Sequence, residues 1–327
     1  MPDTTACSAV DVDVIILSWN RVDDTLAAID SALRQQGVRL NVLIVDQGTE
    51  ARGLERLRRF IEPFDNVCLR ELGSNVGVAA GRNLATAMGR SPYVVALDSD
   101  AIFANDRTLS HVVAEFGKRP DLGAIAFRIT NFFTRKNDST CWDYPAHCTP
   151  SERFSCSRFV GAGHALRRTA FERIGGYDNA LFFCGEELDL CYRLLNSEYA
   201  IEYLPEAEVL HKVSPERRVF WGRGRYFFTV RNNLYTSYKF GVPPTRLMVA
   251  AAAFLLKGAV NGVVWDAARG VREAFRMGAS FDRSATSNQC YRIDKETWRR
   301  IELLEPWRQE RMGQKLRRQF RQLPTHA

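Results

Sequence analysis

The sequence predicts an α/β fold: a mainly parallel, Rossmann-like sheet flanked by helices, with a helical extension towards the C-terminus. Three observations carry this expectation. Short, continuous apolar runs alternate with helix-like stretches through the first third of the chain, the signature of buried parallel strands joined by helical crossovers. Residues able to do chemistry recur just past those runs. Beyond residue 243 the pattern becomes helical, first alanine-rich and then arginine-rich. A chain of 327 residues, 46% hydrophobic and 25% charged, can bury a sizeable core, which excludes disordered and fibrous classes.

Val12–Ser18 (VDVIILS) reads as a strand buried on both faces, ended by Trp19-Asn20-Arg21. The stretch 24–36 reads as a helix, with Asp23 and Asp24 at its start and Gly37 at its stop. Residues 42–45 (VLIV) form the second expected strand and lead into Asp46-Gln47-Gly48-Thr49. A helix over 54–61 and a strand at Val67–Glu71 follow. Residues 73–88 are glycine-punctuated and then helical. The run 93–97 (YVVAL) is another buried strand, and it delivers Asp98-Ser99-Asp100 at its carboxyl end. Ligands of open parallel sheets bind outside the carboxyl ends of the strands. Asn20, Asp46, Asp98 and Asp100 all fall at such ends.

Residues 124–157 combine a strand with a polar, aromatic, cysteine-bearing insertion, and 159–211 return to compact patterning. Gly241 and Pro243-Pro244 set a boundary, giving a first domain over 10–238 and a basic helical extension over 239–327. The apolar stretch 247–265 is interrupted by Lys257 and Asn261. It suits a helix packed on a core or lying in a membrane interface better than a spanning one. Residues 1–10 lack a basic region followed by an apolar run, so no secretory signal is expected. The eight scattered cysteines are expected to be reduced thiols in the cytoplasm. Cys141, His147, Cys148 and Cys156 lack the paired spacing of a structural zinc site. The net charge of +7 favours an anionic partner without choosing among phosphate, membrane and nucleic acid.

Asp98 and Asp100 lie two apart on an extended segment, so their carboxylates share a face and suit a hard divalent cation. Glu186, Glu187 and Asp189 stand at the start of a helix beside Phe182 and Phe183. Acids there are favoured by the helix dipole, but three together exceed what capping requires and suggest a base. The glycines of 73–83 allow close approach of backbone to a ligand, and Arg82 is suited to gripping phosphate. The segment matches neither a dinucleotide-binding fingerprint nor a P-loop.

In their order and spacing these motifs resemble those of the family 2 inverting glycosyltransferases of the GT-A fold, particularly rhamnosyltransferase-like members. The resemblance covers about residues 12–235. It rests on Ser18-Trp19-Asn20-Arg21, Val45 to Thr49, Asn75 to Asn83, Asp98-Ser99-Asp100, Gly175-Gly176-Tyr177-Asp178, Glu186 to Arg193 and Val209-Leu210-His211. It implies a nucleotide-sugar donor (UDP- or dTDP-linked), a Mn2+ or Mg2+ cofactor and an acceptor that is a glycan or lipid-linked. Ser18, Asn20, Asp46, Asn75, Gly77, Arg82, Asp98 and Ser99 would surround the donor. Asp98, Asp100 and His211 would hold the metal. Glu187 would be the base, with Glu186 and Asp189 as the alternatives, because this chain has Glu-Glu where the family commonly has Glu-Asp.

Arginines 217, 218, 223, 225 and 231 are interleaved with Phe220, Trp221, Tyr226, Phe227 and Phe228, and basic residues recur at Arg299, Arg300, Lys315, Arg317, Arg318 and Arg321. That composition suits RNA or a membrane interface. With the motifs above, peripheral contact with the inner face of the plasma membrane is expected, and no nucleic acid. The competing reading is a non-catalytic nucleotide-sugar-binding or scaffold protein.

Overall fold

The computed structural model describes residues 11–212 and 224–305. Nine strands form one sheet: β1 (Val12–Ser18), β2 (Leu40–Asp46), β3 (Val67–Glu71), β4 (Tyr93–Asp98), β5 (Ala101–Phe103), β6 (Leu122–Asn131), β7 (Phe154–Ser155), β8 (Gly163–Arg167) and β9 (Ala200–His211). Their order is β3-β2-β1-β4-β8-β6-β9-β5, with β7 against β9. The strand bounds expected for β1 and β3 are met. The expected α/β sheet flanked by helices is found, with antiparallel strands mixed into its parallel framework. Parallel pairing joins β1 to β2 and β4, β2 to β3, and β6 to β9, whereas β8 runs antiparallel to β4 and β6, and β5 and β7 run antiparallel to β9.

Alternate residues of β1 serve opposite faces, as the two-residue period of a strand requires. Val12, Val14 and Ile16 join the core built with Ala28, Ile29 and Ala32 of helix α1 (Val22–Leu33), Leu57 of α2 (Ala51–Ile61) and Phe116 of α4 (Thr108–Lys118). Ile15 joins the opposite core, built with Ala79 and Ala85 of α3 (Val78–Thr86), Phe171 of α5 (Arg168–Arg173) and Leu190 and Leu194 of α6 (Glu186–Asn196). Full burial of each such aliphatic side chain stabilises the fold by about 1.5–3 kcal/mol. Asp13 is the exception within β1. Its buried carboxylate accepts hydrogen bonds from Arg168, Ser91 and Asn41, tying β1 to β2, to the segment before β4 and to the start of α5.

The C-terminal helices are α7 (Tyr226–Lys239), α8 (Pro244–Val260), α9 (Val264–Ala279) and α10 (Lys295–Leu304). Tyr226, Val230 and Leu234 of α7 form a third, smaller core with Ala251 of α8 and Ala267 and Ala274 of α9. α7 thus packs with the helices that follow it, and the expected boundary at 238/239 falls at its C-terminal end. The punctuation at Gly241 and Pro243-Pro244 marks only the break between α7 and α8. This region is docked, not appended: Tyr192 of α6 donates a hydrogen bond to Glu305, and Asn196 donates to the carbonyls of Cys290 and Arg292. No helix among the described residues is long and apolar enough to cross a membrane. The aromatic and basic residues expected at 217–223 and 315–321 lie outside the described residues.

Candidate active site

A cavity of about 1230 Å³ opens at the carboxyl ends of β1 and β4. Its wall includes Asn20, Asn75, Gly77, Arg82, Asp98, Ser99, Asp100, Glu186, Glu187 and His211, so most of the residues expected from sequence converge on one place. The cause is register. β4 ends at Asp98, the chain turns through Ser99-Asp100, and Ala101 at the start of β5 pairs with His211 at the end of β9. His211 is thereby set beside Asp100, with Nε2 3.6 Å from its Oδ1. The opposite ring nitrogen, Nδ1, lies 3.5 Å from Asp138 Oδ2. Burial favours neutral imidazole, but hydrogen bonds to Asp100, Asp138 and Cys141 prevail and push the His211 pKa up to about 12. Arg21 pairs with Asp100 as well.

One ligand atom from each of Asp98, Asp100 and His211 lies within 4.8 Å of the others, and two carboxylates with an imidazole suit a divalent cation of the manganese type. Asp138, Cys141 and His211 form a second group of equal compactness. Asp138 also accepts from the backbone and hydroxyl of Thr140, which fixes its carboxylate behind the histidine ring. A carboxylate in that position holds an imidazole with its other nitrogen free to ligate. Sequence reasoning missed Asp138, because only the fold brings it to His211.

Arg82 is 3% exposed. Its guanidinium reaches Asp98 at 3.1 Å, Glu187 at 3.2 Å and Glu186 at 3.7 Å, and donates to the Gly161 carbonyl at 2.9 Å. Arg82 thus lines the cavity, as expected, and there links the strand-end acid Asp98 to the helix acids. Gly161 permits this closeness, since a Cβ there would sit 2.3 Å from Glu187 Oε1.

The three acids of α6 have separate surroundings. The Glu187 side chain is 19% exposed in the cavity, whereas that of Glu186 is 3% exposed with Oε2 unpartnered. Burial and the adjacent Glu187 charge hold the Glu186 pKa well above the usual carboxylate range, against the pull of Arg82. Asp189 is not brought to the cavity, which corrects its place as an alternative base. It is fully buried between Arg193, at 2.6 Å, and Lys239, at 2.5 Å. Burial alone would raise its pKa, but those two cations lower it. Ser18 and Asp46 are likewise fully buried and off the cavity wall. Asp46 accepts from the Gly48 and Thr49 amides, while its Oδ2 and Ser18 Oγ have no partner.

The turn leading into α6 is strained, with positive φ at Phe182 (36°), Cys184 (66°) and Gly185 (84°). Non-glycine residues there cost of order 1–3 kcal/mol each, so something must hold them. Asn232 of α7 donates through Nδ2 to the carbonyls of Leu181, Phe183 and Cys184 at 2.5–2.8 Å, and Arg231 Nε orients that amide by donating to its Oδ1 at 2.7 Å. The Val78 amide donates to the remaining Phe182 carbonyl at 2.6 Å. Gly77 leaves room for this contact, because a Cβ there would lie 2.5 Å from that oxygen. Arg225 and Phe228 of the basic-aromatic segment line the same cavity. Their expected contact was with a membrane. Their place beside Phe182 and Phe183 is set by the fold and carries no local mark.

Comparison with known proteins agrees with this geometry. Residues 13–175 match glycosyl transferase family 2, and residues 146–214 match the N-terminal domain of galactosyltransferase. A probable glycosyltransferase, YdaM of Bacillus subtilis (strain 168), is 24% identical over 217 residues, which are 62% of this chain and 50% of that protein. The chain thus spans half the length of that relative. Among solved structures, the mannosyltransferase PcManGT from Pyrobaculum calidifontis, in complex with GDP-Man and Mn2+, superposes with a TM-score of 0.56. It has 19% identity and covers 95% of this chain and 87% of its own. GalNAc-T7 with UDP, GalNAc and Mn2+ gives a TM-score of 0.61 at 15% identity, over 78% of this chain and 51% of its own. The fold and site define a GT-A protein with a helical C-terminal region. Within that class, the chain belongs to glycosyl transferase family 2.

Proposed function

We propose that this protein transfers a sugar from a nucleoside-diphosphate sugar to an acceptor hydroxyl, with inversion at the anomeric carbon and dependence on Mn2+ or Mg2+. The observation that carries the reading is the opening of Asp98, Asp100, His211 and Glu187 into one cavity, with Arg82 spanning the two acid clusters. Asp98, Asp100 and His211 would hold the cation, which supplies positive charge to a leaving diphosphate. Of the α6 acids, Glu187 is the more exposed in the cavity, 19% against 3% for Glu186, while Asp189 is held by Arg193 and Lys239. Glu187 takes the proton from the acceptor hydroxyl. The acceptor oxygen then bonds to the anomeric carbon from the face opposite the departing diphosphate, and no covalent enzyme intermediate is required. Asn20, Asn75, Gly77 and Ser99 lie where the donor would be held. The acceptor is a glycan or lipid-linked hydroxyl.

The test is turnover of UDP-, dTDP- and GDP-sugars with Mn2+ or Mg2+, GDP being added because the mannosyltransferase neighbour is in complex with GDP-Man. Glu187→Gln should lower turnover about 10²–10⁴-fold while nucleotide binding persists, and Asp100→Ala should abolish the metal requirement along with activity. Wild-type protein that binds nucleotide but releases none from any donor would instead be a nucleotide-sugar-binding protein.

A further inference from the structure

The outward face of α8 is apolar where a surface helix is ordinarily polar. Leu247, Ala251 and Gly258 point inward. Met248, Val249, Leu256 and Val260 are 61%, 71%, 45% and 47% exposed, and Ala252 and Ala259 lie exposed on the same arc. Beside it, α9 presents Trp265, 81% exposed, at the head of a stripe continued by Arg269, Arg272 and Arg276 at helical spacing. The exposed ring of Phe275 stands alongside that stripe. Over α8 and α9 together the cations Arg246, Lys257, Arg269, Arg272 and Arg276 outnumber the acids Asp266 and Glu273, and both acids are on α9, paired there with arginines.

The face is continuous with the rim of the cavity. Arg269 lies 5.2 Å over the ring of Phe227, and the adjacent Phe228 lines the cavity wall. An apolar ridge flanked by arginines and headed by an exposed tryptophan has the chemistry of an element lying in a lipid interface with anionic headgroups. Neither helix can span a bilayer. The geometry points to α8 and α9 as the surface by which this protein docks, flat and without insertion across the bilayer, on an anionic membrane, with the cavity rim held at the lipid. The surface stands on exposure and charge alone. Its consequence, that the acceptor is a lipid-anchored hydroxyl reached from the bilayer, rests on the glycosyl-transfer reading above.

The experiment is flotation of the full chain with vesicles of phosphatidylcholine alone and of phosphatidylcholine with phosphatidylglycerol, beside donor turnover measured without lipid. Wild type should float with the anionic vesicles and not with the neutral ones. Val249→Asp with Leu256→Asp should reduce the bound fraction about tenfold or more, with unchanged thermal midpoint and unchanged lipid-free turnover. Arg269→Glu with Arg272→Glu should reduce it as well. Absence of wild-type flotation, binding insensitive to the two aspartates, or a wild-type dimer that the aspartates dissociate would each overturn the proposal. Flotation without turnover of any donor would leave the docking surface standing and remove the glycosyl-transfer reading.

Discussion

The two acid clusters that Arg82 joins are built by different parts of the molecule. Asp98 and Asp100 sit at a strand end, with side chains 40% and 16% exposed, and their neighbours Arg21 and His211 come from the ends of β1 and β9. Their placement follows from sheet register alone. Glu186, Glu187 and Asp189 sit on a helix whose approach is strained and whose first turns rest on α7 through Asn232 and Lys239. The difference assigns tasks to the C-terminal helices. They brace the helix cluster and, among the described residues, make no ion pair with the strand-end acids, so damage to α7 should separate the two.

The largest effect is expected from Lys239→Met. Lys239 is fully buried, 2.5 Å from both Asp178 and Asp189. Removing one partner of a buried ion pair leaves uncompensated charge and costs about 3–5 kcal/mol, to be read by urea denaturation at pH 7. The Asp189 pKa is lowered in the fold, so its stabilisation is present above its unfolded value and fades as pH falls through the folded one. The loss in Lys239→Met should therefore be full at neutral pH and shrink in acid. Nucleotide and manganese binding by the folded variant in the cold should match wild type. Weakened manganese binding would break the comparison, since it would make the strand-end cluster depend on α7.

Glu186→Gln probes the same helix from the cavity side. The Glu186 pKa is raised by burial first and by Glu187 second. The native state thus keeps a proton that the unfolded chain releases above about pH 4.3, and stability falls as pH rises through the window between the two values. Glutamine removes that linkage. Relative to wild type, the variant should gain stability as pH rises above about 4.3, measured as paired denaturation curves. A difference that does not change with pH would show that Glu186 is ionised in the fold.

What could be read in the sequence follows the same division. The apolar run of β1 set its bounds, and Asp98-Ser99-Asp100 fell at the end of β4 as its preceding run demanded. Local pattern sufficed for β1 and β4 because both are buried on both faces, whereas β3 is a largely exposed edge strand. The reversal of β8 was not legible, since its pairing with β4 joins segments about 70 residues apart. The three-residue β5, too short to show a period, hid the pairing that brings His211 to Asp100. Asp189 looked like a third base because an acid in the first turn of a helix carries no mark of which way it faces. Lys239, 50 residues later, decides that. The acid partners of Arg82 were hidden for a similar reason: a guanidinium suits phosphate and carboxylate alike, and the three acids come from two elements far apart in sequence, β4 and α6.

The smallest effect, and the sharpest discrimination, is expected at Asn232. Its amide donates to three carbonyls of the turn that carries Glu186 and Glu187, and does not itself line the cavity. It is a positioning residue. Asn232→Leu keeps approximate volume but leaves those carbonyls without their donor, and the strained φ values of Phe182 and Cys184 lose their restraint. A displacement of Glu187 by a fraction of an ångström should lower kcat roughly tenfold, about 1.4 kcal/mol, with little change in KM for the donor. Asn232→Asp replaces the donor with an acceptor facing three carbonyls and should be at least as harmful. A purely structural role would lower the midpoint of thermal unfolding yet leave kcat intact well below it. The split between kcat and KM therefore decides whether α7 holds the base in place or only holds the fold together.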